Sequence, residues 1–342
     1  MSGPTPARSD VAPPRTFDDL FTRGRLRVVE EDYRRVEQVL TDSVQSTFDL
    51  VPTVVRHLIG AGGKRIRPVV HCLAARMCGY SGNGHITIAS VSEMIHSSTL
   101  FHDDVIDEGR VRRGRPTANR VWGNQVPVLV GDFVFARAFT IMMDHGYYTI
   151  ARHLGETVQD LVTGELLQLT HAGNPLLTRE VYEEIIRCKT ASLFSWCGRA
   201  AAMLAELPEE RAAELSEFGH HLGTAFQITD DVLDYTGTST DTGKGMLSDL
   251  AEGKVTLPLI LAMERDPSLA AEIQDLFPDG NGQEGDPVPV ATRIRKSGAI
   301  EDSILIAEEH AERAVERLAG FGGSDYKDAL VELCRFTRNR IH

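Results

Sequence analysis

Apolar residues recur at intervals of three and four along almost the whole chain, and strand-like alternation is scarce. This spacing is typical of α-helices that each bury one face. We predict helices, with soft boundaries, over residues 27–58, 68–78, 85–107, 117–122, 127–145, 147–171, 178–187, 189–205, 208–235, 254–264, 268–276, 287–296, 299–319 and 325–340. Several of these segments are long, which favours an all-α fold in which a large bundle surrounds a central cavity.

Two stretches interrupt the helical pattern. Residues 1–16 are rich in Pro, Ser and Arg, and residues 277–289 read FPDGNGQEGDPVP. Such compositions do not supply enough apolar surface to order a segment. We therefore predict a disordered tail over residues 1–24 and a single domain over residues 25–342.

The charge balance limits the kind of ligand that the whole surface can attract. The chain of 342 residues is 42% hydrophobic and 25% charged, and its formal net charge is −13. An acidic chain is a poor general binder of nucleic acid or of anionic lipid. Any anionic ligand must therefore be held by local basic clusters or by metal ions.

Cysteine usage and hydropathy indicate where the protein works. The five cysteines include no CxxC pair and are odd in number, which indicates thiols in a reducing compartment. No uninterrupted apolar run approaches the length of a membrane span, and the N-terminus has no apolar signal core. We expect a cytoplasmic protein without an integral membrane segment.

The most informative pattern is a pentapeptide that occurs twice, as DDVID at residues 103–107 and as DDVLD at residues 230–234. On a helix, its first and fifth carboxylates lie about 6 Å apart along the axis, on one face. Like charges at this spacing, near a helix C-terminus, destabilise the helix. Mg²⁺, which binds through one or two carboxylates and a substrate phosphate, would relieve that cost. A solvated helix end explains one such cluster, but it explains two poorly.

Basic and polar side chains accompany both aspartate clusters. A glycine-flanked basic run before a helix suits a phosphate, and arginine grips phosphate oxygens with two parallel hydrogen bonds. Taken singly, each cation is more often a solvated surface charge. The candidate ligand-binding residues are Lys64, Arg67, His96, Arg112, Arg113, Lys189, Thr190, Gln227, Lys244 and Lys254.

These residues stand in the order and context of a known family. The segments that carry the resemblance are residues 62–68 (GGKRIRP), 93–108 (EMIHSSTLFHDDVIDE), 112–114 (RRG), 189–190 (KT), 223–235 (GTAFQITDDVLDY) and 252–259 (EGKVTLPL). Over roughly residues 25–340, the chain resembles the trans-isoprenyl diphosphate synthases, also called polyprenyl synthetases. It is similar above all to bacterial long-chain members such as the octaprenyl diphosphate synthases.

The resemblance implies an isoprenoid synthase fold, a homodimer and an Mg²⁺-dependent prenyltransferase. Such an enzyme would join isopentenyl diphosphate to an allylic diphosphate, with farnesyl or geranylgeranyl diphosphate as primer. It further implies a metal-binding set that holds three Mg²⁺ ions with substrate present, formed by Asp103, Asp107 and Asp230. The remaining motif aspartates and two lysines complete the implied catalytic set, namely Asp104, Asp231, Asp234, Lys189 and Lys244.

Roles in substrate binding are implied in the same way. The implied contacts of the allylic diphosphate are Arg112, Lys189, Gln227 and Lys244, with Thr190 and Lys254 beside them. The implied contacts of isopentenyl diphosphate are Lys64, Arg67, His96 and Arg113. One departure from the family pattern occurs in the loop after Lys244, where Leu247 and Ser248 stand in place of acidic residues.

Product length should depend on bulk one or two turns before the first aspartate cluster. Residues 97–99 are Ser-Ser-Thr, and their small side chains leave the wall open. Ser98 and Thr99 are therefore the predicted chain-length residues, and a long product is favoured. A deeper floor, or plain core, is formed by Phe135, Phe139, Met142 and Met143.

Four other functions compete with this interpretation. Two stay within prenyl transfer: a shorter-chain geranylgeranyl or farnesyl synthase, and a subunit of a heteromeric synthase. A terpene cyclase is disfavoured by the second complete DDxxD cluster and by the second basic site. A helical scaffold with solvated acidic ends leaves the ordered basic partners unexplained.

Overall fold

A computed structural model of the protein describes residues 16–60, 63–236, 247–277 and 286–339. Its helices are α1 (Phe17–Thr22), α2 (Glu30–Ser43), α3 (Leu50–Ile59), α4 (Ile66–Met77), α5 (Gly84–Ile106), α6 (Ala118–Trp122), α7 (Gln125–Asp144), α8 (Tyr148–Thr170), α9 (Arg179–Ile186), α10 (Ser192–Leu204), α11 (Glu209–Thr236), α12 (Ser248–Ala251), α13 (Leu257–Arg265), α14 (Ser268–Leu276), α15 (Val288–Lys296), α16 (Ala299–Arg317) and α17 (Asp325–Asn339). A 3₁₀-helix at Arg25–Val29 and a π-helical turn at Arg187–Ala191 connect longer elements. The prediction of an all-α fold is confirmed.

One small sheet interrupts the helices in the described ranges. Strands β1 (Val111–Arg112) and β2 (Arg115–Pro116) pair antiparallel directly after α5. The turn between them is formed by Arg113 and Gly114, with φ values of 52° and 73°. Two positive φ values in a row are the mark of the tightest hairpin turns. This hairpin was not predicted, although it turns the chain back beside the first aspartate cluster.

The first predicted helix, residues 27–58, is divided in the structure. The 3₁₀-helix and α2 are separated from α3 by residues 44–49. In that break, the Ser46 hydroxyl accepts a hydrogen bond of 3.2 Å from the backbone N–H of Phe48. Serine side chains compete in this way with helical backbone bonds. Pro52 in the first turn of α3 gives a second sign of a new helix start, because proline lacks the N–H of a helix interior.

The segment predicted as a tail, residues 1–24, contains an ordered helix. Thr16 caps α1 and forms a reciprocal capping box with Asp19. Phe17 and Leu20 are buried, and the Phe17 ring packs edge-on against Phe336 at a centroid distance of 6.1 Å. Burial against α17 explains why this segment is helical, while residues 1–15 lie outside the described part of the chain. The predicted break at residues 277–289 also falls mostly outside it.

Helices α10, α11 and α16 pack side by side, and α5 packs against α4 and α7. The α10–α11 contact is close because of Gly219, where an added Cβ would lie 2.2 Å from the carbonyl oxygen of Phe194. A larger residue would push α11 away from α10. The approach matters for function because α11 carries the second aspartate cluster and α5 carries the first.

Helix α7 is 20 residues long and, by length and composition alone, is apolar enough to cross a membrane. It packs against α5, α6 and α8, so part of its apolar surface faces the bundle. A packed core helix of a globular protein can have the same length and apolar composition. The outer face retains exposed apolar side chains, among them Leu129 at 67% exposure.

Candidate active site

A cavity of about 1220 Å³ lies between α5, α8 and α11. Its wall brings together nearly all of the residues that the sequence singled out. The predicted site residues on the wall are Lys64, Arg67, His96, Ser98, Thr99, Asp103, Asp107, Arg112, Arg113, Lys189, Thr190, Gln227, Asp230, Asp231, Asp234 and Lys254. Asp104 is not on the wall, and Lys244 lies outside the described residues. The structure places these residues on one cavity wall, whereas their individual roles stay predictions.

The first aspartate cluster divides its carboxylates between the cavity and the protein. Asp103 and Asp107 line the cavity at the end of α5. Asp104 is buried, and its Oδ1 accepts a hydrogen bond of 2.8 Å from Arg112 Nε. The β1–β2 hairpin supplies this arginine, so Asp104 ties the hairpin to α5. The supporting role of Asp104 stays a prediction.

The electrostatic environment of Asp103 is costly for a carboxylate. Burial raises its pKa to about 6, and the charges of Glu165 and Asp107 add to the rise. The nearby Lys189 ammonium acts in the opposite direction. Further positive charge beside a carboxylate in such surroundings stabilises its ionised form.

In the second cluster, Asp230 is exposed to the cavity while Asp231 is buried. Asp231 accepts hydrogen bonds of 2.6 Å from the Tyr182 hydroxyl and 2.7 Å from Gln227 Nε2. Burial, reinforced by the charge of Asp249, raises the Asp231 pKa well above its ordinary value. Asp231 therefore fixes α11 to α9, while Asp230 faces the cavity.

Asp234 is likewise occupied by the protein. Its Oδ1 accepts hydrogen bonds of 3.0 Å from both the backbone N–H and the hydroxyl of Ser248. Its Oδ2 accepts a third, of 3.1 Å, from the backbone N–H of Asp249. Burial and the Asp249 charge raise the pKa of Asp234 to about 6. Ser248, the departure noted in the sequence, thus contributes directly to the anchoring of the second cluster.

Two lysines on the cavity wall are paired with carboxylates. Lys254 Nζ lies 3.1 Å from Asp107 Oδ2 and also contacts Glu252, and these acidic neighbours raise the pKa of Lys254 despite burial. Lys189 pairs with Glu165 and lies 3.3 Å from Gln168 Oε1. Both lysines are therefore held close to the aspartates.

The π-helical turn gives Lys189 and its neighbour their positions. Such turns are rare and occur often at functional sites. The Thr190 hydroxyl in this turn donates a hydrogen bond of 2.7 Å to Gln227 Oε1. Because the Gln227 amide also donates to Asp231, a single chain of hydrogen bonds joins the turn to the second aspartate cluster.

A second cationic group lies on the wall near the start of α4. Arg67 is half-buried and stacks over the Phe194 ring, with its Cζ 4.7 Å from the ring centroid, and its buried Nε has no hydrogen-bond partner among the described residues. Burial and the charges of Arg67 and Arg113 hold the pKa of His96 well below its usual value. Neighbouring arginines with an unused hydrogen-bond donor are suited to an anion. Arg65, by contrast, is bound to Glu93 at 2.7 Å and to Glu37 at 2.8 Å.

The sequence prediction missed two polar residues on α8. Glu165 and Gln168 line the cavity and both contact Lys189. Their spacing of three places them on one face of the helix. That spacing, next to a glycine, was the available signal, but a single Glu and Gln on an amphipathic helix do not stand out in one sequence.

The carboxylates fit magnesium better than they fit a preformed metal cage. Across the described ranges, no three His, Cys, Asp or Glu side chains are grouped closely enough to hold a metal by themselves. Mg²⁺ does not require this, because it usually takes one or two carboxylates and completes its shell with water and substrate phosphate. Asp103, Asp107 and Asp230 supply the oxygen donors that such an arrangement needs.

The far part of the cavity is apolar. Ser98 is buried and donates a hydrogen bond of 3.0 Å to the carbonyl oxygen of Gly131 on α7. Of the four side chains considered for a deeper floor, only Phe135 lines the cavity. Met142 belongs to the core and Met143 is exposed, so the alternative of plain packing describes them better.

Known proteins share both the sequence and this architecture. An all-trans-nonaprenyl-diphosphate synthase (geranyl-diphosphate specific) of Rhodobacter capsulatus is 39% identical over 324 residues, which cover 94% of this chain and 98% of the relative. The octaprenyl diphosphate synthase of Escherichia coli K12 is 38% identical over 311 residues, or 91% and 96% of the two chains. The crystal structure of a polyprenyl synthase from Caulobacter crescentus CB15, complexed with calcium and isoprenyl diphosphate, matches with a TM-score of 0.90 at 36% identity, covering 98% and 100%.

A helical bundle with these neighbours has the isoprenoid synthase fold, and the protein is a prenyltransferase. Residues 49–289 match the polyprenyl synthetase family model. The chain belongs to the polyprenyl synthetase family.

Proposed function

We propose that the protein is an Mg²⁺-dependent all-trans polyprenyl diphosphate synthase. It adds isopentenyl diphosphate units, by 1'-4 condensation, to a farnesyl or geranylgeranyl primer. The observation that carries this proposal is the composition of the wall of this cavity. Two aspartate clusters, a separate cationic group and an apolar wall all border the same space. The synthases of similar sequence, named for octaprenyl and nonaprenyl products, support a long chain.

The allylic diphosphate is bound between the two aspartate clusters. Asp103, Asp107 and Asp230 would hold Mg²⁺, three ions when substrate is present, which neutralises the diphosphate as a leaving group. Lys189 and Lys254 stand beside these carboxylates and supply further positive charge to the phosphate oxygens.

Isopentenyl diphosphate is bound by the second cationic group. Lys64, Arg67, His96 and Arg113 share its part of the wall. The unpaired donor at Arg67 Nε supports an anion here, and the charges of Arg67 and Arg113 add to the burial that lowers the pKa of His96. Two diphosphates therefore enter separate sites that face one cavity.

The reaction proceeds by ionisation. The allylic C–O bond breaks, its electron pair leaves with the diphosphate, and an allylic carbocation remains. The double bond of isopentenyl diphosphate attacks C1 of this cation and forms the new C–C bond. A proton is then lost, and the released pyrophosphate is the proposed base. The apolar wall formed by residues such as Phe135, Val158 and Leu161 excludes water that would quench the cation.

Product length is limited by the depth of the apolar part of the cavity. Ser98 and Thr99 are small and lie on its wall, with Phe135 opposite them on α7. Ser98→Phe should shorten the product because the ring fills the path of the growing chain. Ser98→Ala is the matched control and should keep the parental product. An unchanged product with Ser98→Phe would contradict this direction for the chain.

The protein is proposed to act as a homodimer through the outer faces of α7 and α8. Three apolar side chains of α8, namely Val162, Leu166 and Leu169, line the cavity and are also 54%, 57% and 45% exposed. A second copy over this face would close the cavity wall to water. Leu129→Glu, on the exposed side of α7, should convert a dimer into a monomer in light scattering. A dimer that persists in this variant would contradict the assignment.

The proposed location is the cytoplasm. All five cysteines are free thiols and four of them are buried, which suits a reducing compartment. No integral membrane segment is proposed, because the apolar helix α7 is accounted for by the bundle and by the dimer face.

The test is a product assay with the purified chain. Labelled isopentenyl diphosphate, farnesyl or geranylgeranyl diphosphate and Mg²⁺ are incubated, and the dephosphorylated products are sized. A ladder that ends in a long polyprenol and disappears with chelator is expected. A geranylgeranyl-length product would favour the shorter-chain synthase. No incorporation with any primer would contradict the proposal and favour a subunit that needs a partner.

A further inference from the structure

Glu165 of α8 is held against the π-helical turn by the glycine that precedes it. A Cβ at Gly164 would lie 2.7 Å from the backbone nitrogen of Lys189 and 2.8 Å from Cβ of Cys188. Only glycine allows this approach without displacement of the two backbones. The contact brings Glu165, the next residue, directly beside the Lys189 side chain.

The two oxygens of Glu165 have different surroundings. Oε2 pairs with Lys189 Nζ, while Oε1 is buried and has no hydrogen-bond partner among the residues that the structure describes. The side chain is only 13% exposed. A buried carboxylate oxygen without a donor has lost its hydrogen bonds to water and gained none in return, which destabilises it. Buried polar atoms are normally hydrogen-bonded, so we expect Oε1 to accept a hydrogen bond from a group that enters the cavity with the ligand.

The position of Glu165 points to the metal side of the site. It lines the same cavity as Asp103, and its negative charge reaches that carboxylate. Lys189 is close enough to act on Asp103 with the opposite sign. The ammonium therefore lies near two carboxylates, of which one is an expected metal ligand and the other is not.

We infer that Glu165 is an outer-sphere metal residue, whose Oε1 accepts a hydrogen bond from a water of the ion bound at Asp103. The inference rests on the proposed function. Mg²⁺ keeps several waters when it binds to proteins, and each water is a strong donor. When diphosphate binds, Lys189 would turn towards it and leave Oε2, while Oε1 would accept a hydrogen bond from a water on the ion. Glu165 would then keep a hydrogen-bonded partner with and without the ligand.

This exchange links metal affinity to a residue that does not touch the ion. Outer partners of metal ligands typically change metal affinity by about 10–100-fold when removed. Replacement of Glu165 should therefore weaken metal binding even where Lys189 is also absent. A residue that only positioned Lys189, or only added negative charge, would have no such effect in the double variant.

The experiment measures Mn²⁺ affinity by electron paramagnetic resonance, with farnesyl thiolodiphosphate, an unreactive analogue, at saturation. Glu165→Leu should weaken Mn²⁺ binding by about tenfold. The Glu165→Leu, Lys189→Met double variant, which leaves the local net charge unchanged, should remain weakened by a similar factor. It also guards against misfolding, because replacing both members of an ion pair by apolar residues is well tolerated. Glu156→Gln, on the exposed side of α8, is the matched control and should bind as the parent.

The possible results separate this inference from the proposed function. If the double variant binds Mn²⁺ like the parent while Asp103→Asn binds weakly, Glu165 acts only through charge or through Lys189, and the inference is overturned. If Asp103→Asn also binds like the parent, the metal site of the proposed function is wrong as well.

Discussion

Cationic side chains hold the first aspartate cluster, and neutral donors hold the second. Arg112 binds Asp104 and Lys254 binds Asp107 at the end of α5. In α11, Asp231 and Asp234 are instead bound by hydroxyl, amide and backbone N–H groups. A cation can leave when another positive charge arrives, whereas a neutral donor fixes its acceptor in place. Asp107 and Lys254 are therefore placed for an exchange of charge, whereas Asp231 and Asp234 are fixed in position.

The comparison also separates residues within each cluster. Asp103, Asp107 and Asp230 face the cavity and are not fully buried. Asp104, Asp231 and Asp234 are buried in contacts with the protein. Although Asp231 and Asp234 also border the cavity, the same five-letter pattern supplies two aspartates that are not fully buried at the end of α5 and one in α11.

The largest effect is expected from Asp103→Asn or Asp230→Asn. Each removes a proposed metal ligand, and kcat/KM should fall by at least about 10³-fold, or about 4 kcal/mol. Steady-state assays at saturating Mg²⁺ test this, with exposed Asp144→Asn as control. Loss of activity in only one of the two variants would mean that only one of the two clusters supplies an essential metal ligand.

The same Asp103→Asn variant should not be less stable. The folded-state pKa of Asp103 is about 6, above its ordinary value of 3.8, so ionisation of this carboxyl opposes folding. The stability that the protonated carboxyl contributes is present below pH 3.8 and is lost as the pH rises through 6. Asparagine removes this loss. In chelator at pH 7, the melting temperature should equal or exceed that of the parent, and the difference should shrink below pH 4.

Asp104→Ala should act mainly on stability. It removes the buried partner of Arg112 and frees the hairpin from α5, and we expect a loss of about 2–3 kcal/mol in the free energy of unfolding. Denaturant titration measures it, with the exposed pair member Asp302→Ala as a control that should cost less than about 1 kcal/mol. Equal losses in the two variants would contradict the structural role of Asp104.

The smallest effect is expected from Ser248→Ala. One of three donors to Asp234 is removed, which should cost about 1 kcal/mol and lower kcat/KM by less than about tenfold. Ser303→Ala, a buried serine on α16 with a 2.7 Å hydrogen bond, is the control for stability alone. A 10³-fold loss of activity in Ser248→Ala would show that the second cluster is more than an anchor.

The all-α architecture and the meeting of both clusters at one cavity could be predicted from the sequence. Helical periodicity and repeated motifs are local patterns, so they can be recognised in a single sequence. The partition of the aspartates could not be predicted, because it depends on the rotation of α5 and α11 and on the partners that Tyr182 and the hairpin bring from elsewhere. Glu165 was missed for the same reason: its significance comes from Gly164 and Lys189, which meet only in the fold.

The most direct test of this account is a crystal structure with Mn²⁺ and farnesyl thiolodiphosphate, read by anomalous scattering. The account predicts ions about 2.1 Å from carboxylate oxygens of Asp103, Asp107 and Asp230, a distance typical of small divalent cations. It predicts none on Asp104, Asp231 or Asp234, whose protein contacts should persist. An ion bound directly to Asp234, or none at Asp230, would contradict the division of the two clusters.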